Sequence, residues 1–213
     1  AVLADAPAGR WRARDREVLA GSAEDAPDRT WARRGGYVGG FQAGPALSAF
    51  DPLTQWVLDT GARALRDAGL EGADAARTGA VLGNLSLPSS DSSRFAEHVW
   101  LGAAAARLGE PAPRAADRFN SGLPAHRLAE LLGLGAGAWA LDAACASSLY
   151  AVAYACHALA EGRADRMLAG AVNRADDLFL HVGFCALGAM SKSGRSRPFH
   201  AGEKPGLAQT AKL

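Results

Sequence analysis

A chain of 213 residues, 49% of them apolar, is long enough to bury a core, and one domain is the default. Lys plus Arg (23) balance Asp plus Glu (22), so no strong field exists to hold nucleic acid or an anionic membrane. No apolar run approaches the ~20 residues of a bilayer crossing and the first residues hold no signal-peptide core, so a cytoplasmic protein with no nucleic-acid or membrane partner is expected.

Residues 1–50, rich in Arg, Gly, Pro and Asp, show no sustained periodicity and read as an irregular segment, with a turn and a short extended stretch in 33–41. Asp51-Pro52 opens a helix, with Asp as N-cap and Pro as first helical residue. Leu53, Trp56, Val57, Leu65 and Ala68 fall near one face of it, and Gly69 is its stop. The apolar run 78–83 reads as a buried strand, followed by a loop at 87–91 and a second helix reaching about 108. A proline-bearing linker at 109–114 leads to a shorter helix at 125–132, closed by the glycines of 133–137.

Residues 138–144 have the apolar character of a central strand. Behind Ser147-Ser148, the spacing of Leu149, Val152, Ala153, Cys156 and Leu159 predicts a helix with these residues as its core stripe, ended by Gly162. Residues 166–172 read as another buried strand. Strands alternating with helices, each strand nearly all apolar, predict an α/β layered fold with a largely parallel sheet.

Cys145, Cys156 and Cys185 form no C-x-x-C pair, and no histidines stand at zinc-finger spacing, which argues against a disulfide framework or a metal. Each cysteine is then core or chemistry. The strand-to-helix junction places Cys145 beside unpaired backbone N–H groups and the positive end of a helix dipole, which favour a thiolate. The same N–H groups suit the oxyanion that develops when a thiolate attacks a thioester carbonyl. Ala143, Ala144, Ala146 and Ser147 are slim enough to admit substrate. Position and flanks alone leave Cys145 either a nucleophile or one more small core residue.

Asp142-Ala143-Ala144-Cys145-Ala146-Ser147-Ser148-Leu149 is similar to the nucleophile motif of β-ketoacyl synthases, D-T-A-C-S-S-S-L or a close variant. Gly162-Arg163-Ala164-Asp165-Arg166-Met167-Leu168-Ala169-Gly170-Ala171-Val172-Asn173 resembles that family's G-x-x-D-x-x-[LI]-A-G-G-V-N segment. The stretch from Phe184 through Ala186-Leu187, Ser191 and Gly194-Arg195 to Pro198-Phe199 resembles its F-x-x-x-x-A-L-S-x-x-G-R-C-x-P-F. Three motifs in order make a specific match, spanning most of 37–199, in a style closest to ketosynthase domains of multidomain polyketide or polyunsaturated fatty acid synthases.

The resemblance implies the N-terminal half of a thiolase-like fold, with a buried helix after the nucleophile. It implies an irregular segment at 1–50, a ketosynthase core at 51–199 and a divergent or truncated tail at 200–213. The implied activity is that of an acyltransferase: Cys145 accepts an acyl group from an acyl carrier protein, for decarboxylative Claisen condensation with a malonyl thioester in fatty acid or polyketide biosynthesis. Substrates ride on the carrier's phosphopantetheine, with no cofactor or metal bound directly, and a homodimer is expected. Ala144, Ala146 and Phe184 are the implied substrate-binding positions, and Cys185 beside Phe184 is either pocket lining or core.

The family's decarboxylation relies on two histidines of its C-terminal half, which this chain does not reach. His157 would sit about 18 Å along a continuous helix from Cys145, too far to partner it. His98 and His126 fall in predicted helices, and His181 and His200 in predicted loops. Two other readings follow: a catalytically incomplete partner or dimerisation module, and a cysteine hydrolase, for which no paired Cys and His signature exists.

Overall fold

The computed structural model describes residues 4–5, 29–30, 34–35, 38–70, 75–85, 90–109, 112, 121–174 and 179–190. In chain order the elements are β1 (Ala4–Asp5), β2 (Arg34–Gly35), α1 (Pro52–Asp67), β3 (Thr78–Asn84), α2 (Ser90–Leu101), α3 (Ala103–Arg107), α4 (Leu123–Leu132), β4 (Ala138–Leu141), α5 (Ser147–Ala160), β5 (Arg166–Val172) and α6 (Phe179–Ala186). Two compact units divide them: 42–174, and 1–41 together with 175–213. In the second unit β1 and β2 pair antiparallel, and Cys185 on α6 is buried with its sulfur 3.5 Å from Thr30 Oγ1.

The larger unit is built on three parallel strands in the order β4-β3-β5, the arrangement expected when helices make every crossover. All seven residues of the central β3 are buried, and its side chains alternate between two apolar layers. Ala80 and Leu82 join Leu53, Val57 and Leu58 of α1 and Ala125 and Leu128 of α4 on one face. Val81 packs on the other with Ala151 and Ala155 of α5, flanked by Trp139, Leu141 and Met167.

Local signals account for α1. The Asp51 carboxylate accepts the Leu53 N–H at 2.8 Å, Pro52 takes a position whose N–H has no helical partner, and Gly69 leaves the helix at φ +68°. Just past the end of β5, the Arg174 guanidinium lies 4.5 Å over the ring of Trp56 on α1.

Four expectations change. The helix predicted to reach 108 is broken at Gly102, which sits at φ +52° and separates α2 from α3. The strand predicted over 138–144 stops at Leu141, because Asp142 folds its carboxylate back onto the backbone and starts a turn. His181, expected in a loop, lies within α6. The stripe expected to bury α5 faces outward: Leu149 is 74% exposed, Val152, Cys156 and Leu159 are exposed too, and the sheet takes Ser147, Ala151, Ala155 and Ala158. The helix is apolar around its whole circumference, so the slim alanine side approaches the sheet closely while the bulky side stays out. The expected helix after the nucleophile is therefore in place, buried on this alanine face.

Candidate active site

The chain passes from Leu141 of β4 to Ser147 of α5 through one 3-10 turn, Ala144–Ala146, with Cys145 exposed at its centre. Ala144 stands at φ +49°, the one non-glycine among the described residues with a positive φ. Holding an alanine there costs about 1–2 kcal/mol. Three hydrogen bonds offset that cost. Asp142 Oδ1 accepts the Ala144 N–H at 2.8 Å, while Ser147 Oγ accepts the Ala143 N–H at 2.9 Å and donates to the Ala144 carbonyl at 2.7 Å. At about 0.5–1.5 kcal/mol net each, their sum is of the same size as the strain.

Two further donors at the end of the turn are spoken for as well. The Ala146 N–H goes to the Ala143 carbonyl at 3.1 Å and the Ser147 N–H to that of Ala144. The Cys145 N–H finds no acceptor among the described residues, so one donor stands free beside the thiol. Both lie where the positive end of the 14-residue α5 begins. An accessible sulfur, an uncommitted N–H next to it and a helix N-terminus behind it can attack a carbonyl and hold the oxyanion that results.

On β3, Gly83 meets the end of the turn and Asn84 beside it anchors a neighbouring segment. A Cβ on Gly83 would lie 2.7 Å from Ser147 Cβ and 2.8 Å from its carbonyl carbon, so only glycine lets strand and helix meet here. Asn84 is fully buried and donates from Nδ2 to the Ser121 carbonyl at 2.8 Å, tying the approach to α4 to the same end of the sheet.

Of the residues singled out from sequence, Ala144 and Ala146 flank Cys145 in the turn, the first exposed and the second half-buried. Phe184 is half-buried on α6, in the other unit. His98 lies on α2 with Nδ1 buried, and His126 is exposed on α4 with Nε2 3.2 Å from Glu130 Oε1. His157 is exposed near the C-terminal end of α5, and His200 lies outside the described residues. Among the described residues no group of three or more His, Cys, Asp or Glu converges as metal ligands. Sequence reasoning took Ser147 only as a slim flank and missed Gly83. An acidic residue two positions before the strained Ala144, with a hydroxyl three positions after it at the helix start, is the local signal that marks such a braced turn.

A family model described as "Beta-ketoacyl synthase, N-terminal domain" matches residues 3–207. The PKS-NRPS hybrid synthetase acdB of Aspergillus candidus is 32% identical over 92% of this chain, which spans 8% of that protein's length. A polyunsaturated fatty acid synthase polypeptide of Thraustochytrium sp. is 41% identical over 41% of this chain, corresponding to 4% of its own. Among solved structures, "PfaC Keto synthase-Chain length factor" superposes with a TM-score of 0.75 at 32% identity, covering 88% of this chain and 22% of that one. An oxazolomycin ketosynthase domain of Streptomyces albus, at 24% identity and a TM-score of 0.71 over 94% of this chain and 34% of its own, shares the fold. The motif around Cys145, the parallel sheet that carries it and these likenesses agree: the chain belongs to the β-ketoacyl synthase family, in the region of its N-terminal domain.

Proposed function

We propose that this chain supplies the nucleophile half of a condensing enzyme of polyketide or fatty acid biosynthesis in the cytoplasm. The Cys145 thiolate attacks the carbonyl of an acyl thioester carried on the phosphopantetheine of an acyl carrier protein. The Cys145 N–H holds the oxyanion, which collapses to expel the carrier thiolate and leave the acyl group on sulfur. The proton given up by the Cys145 thiol balances the released carrier thiol. A malonyl thioester on a second carrier then loses carbon dioxide, and the resulting carbanion attacks the acyl-Cys145 carbonyl. The sulfur leaves as thiolate and a β-ketoacyl carrier departs. Ala144 and Ala146 give the thioester room.

The observation that carries this reading is the exposed Cys145 in a braced turn with its own N–H uncommitted. Incubation with an acyl N-acetylcysteamine thioester should add one acyl mass, mapped by peptide digestion to Cys145 and absent in Cys145→Ala. Labelling that persists in the variant refutes the assignment.

A second reading, a partner or dimerisation module, draws on the outward apolar side of α5, where Leu149, Tyr150, Val152 and Tyr154 are exposed. A homodimer through this side is compatible with both readings. Formation of β-ketoacyl product from acyl and malonyl carriers by this chain alone would rule out a purely structural module.

A further inference from the structure

We infer that Ser147 is a positioning residue for acyl transfer at Cys145, acting by holding Ala144 in its left-handed conformation; the inference rests on the function proposed above. Ser147 is 2% exposed and its hydroxyl is engaged by the turn in both senses, accepting from Ala143 at 2.9 Å and donating to Ala144 at 2.7 Å. One hydroxyl thus ties the Asp142–Ala143 peptide to the Ala144–Cys145 peptide, reaching across the strained residue. The Ser147 backbone lies against Gly83 of the central strand: its carbonyl oxygen is 2.9 Å, and its carbonyl carbon 2.8 Å, from where a Cβ on Gly83 would be, so any larger residue there would displace it.

The consequence reaches Cys145 through the order in which donors are satisfied. With Ser147 engaging the Ala143 N–H and Asp142 the Ala144 N–H, the next donor along the chain, that of Cys145, has no acceptor among the described residues and is left for a substrate oxygen. Were Ala144 to relax to negative φ, the peptide between Ala144 and Cys145 would rotate and carry that N–H away from the sulfur's approach line. Ser147 touches no reacting atom; it fixes the one that does.

The test is a double-mutant cycle of Ser147→Ala and Ala144→Gly in a Cys156→Ala background, since Cys156 is the other exposed thiol among the described residues. Single-turnover acylation of Cys145 is followed against thioester concentration, with iodoacetamide alkylation as the measure of thiol access. Ser147→Ala is expected to slow the maximal acylation rate by about tenfold or more, the half-saturating concentration and the alkylation rate changing less than about threefold. Glycine is unstrained at positive φ, so the same loss should shrink by at least about threefold in the Ala144→Gly background. That background also serves if the single variant folds poorly. Equal acylation by wild type and Ser147→Ala, or equal losses in the two backgrounds, overturns the positioning role. A wild-type Cys145 that alkylates yet accepts no acyl group overturns the function proposed, and this role with it.

Discussion

Gly83 and Ser147 are in backbone-to-side-chain contact so close that a single methyl group on Gly83 would come within 2.7 Å of Ser147 Cβ. That contact seats the N-terminus of α5 directly on the central strand, which is how the sheet positions the nucleophile turn. Gly83→Ala should therefore push α5 off β3. Overpacking of this kind costs about 1–3 kcal/mol, read as a lower urea midpoint with an unchanged slope. Acylation of Cys145 should fall beyond what partial unfolding accounts for, and full acylation with only lost stability would show that the turn does not depend on this seat.

Asp142 is the second brace. Its carboxylate is exposed yet accepts the Ala144 N–H at 2.8 Å, so its removal frees a donor that water can still satisfy. Asp142→Ala should cost stability by no more than about 1 kcal/mol and slow acylation severalfold. Asp142→Asn keeps an acceptor oxygen at the same reach and should restore most of the rate. Single-turnover acylation of the two variants side by side measures this, and equal loss in both would assign the effect to charge and not to the turn.

What the sequence makes legible here is whatever is decided within a few residues. Asp51-Pro52 announces α1 because capping and a fixed φ act locally, and Cys145 falls at a junction because a β-like run meets a helix-like one there. The same locality explains the misses. The break at Gly102 depends on a backbone conformation that glycine permits but does not demand. The outward face of α5 was unreadable because its apolar residues surround the axis: period and hydrophobicity alone favour the bulky stripe, whereas close approach to β3 selects Ala151, Ala155 and Ala158. The positive φ of Ala144 has no mark in composition at all, since the bonds from Asp142 and Ser147 are what offset it.

The orientation of α5 yields a paired prediction. Ala155, on the sheet side, is buried against Val81, while Leu149 is exposed. Ala155→Leu should destabilise by about 1–3 kcal/mol through overpacking, and Leu149→Ser should stay within about 0.5 kcal/mol of the wild type. Chemical denaturation of both variants decides it. The reverse order of effects would turn the helix around.

On α4, Glu130 receives the Arg127 guanidinium at 2.6 Å and His126 Nε2 at 3.2 Å. The hydrogen bond from Arg127 is the largest influence and holds the carboxyl below its ordinary 4.5; desolvation opposes it, and the charges of Arg127 and His126 with a hydrogen bond from His126 add to the lowering. A carboxylate whose proton affinity falls on folding contributes stability that is complete above 4.5 and fades as pH drops through the folded-state value. Glu130→Gln should thus lower Tm slightly at neutral pH, and the gap from wild type should close well below 4.5, where both side chains are neutral. Because the group is at the surface, added salt should narrow the neutral-pH gap as well. Thermal melts of the two proteins across that range are the measurement, and a gap that stays constant with pH would mean that Glu130 acts through packing alone.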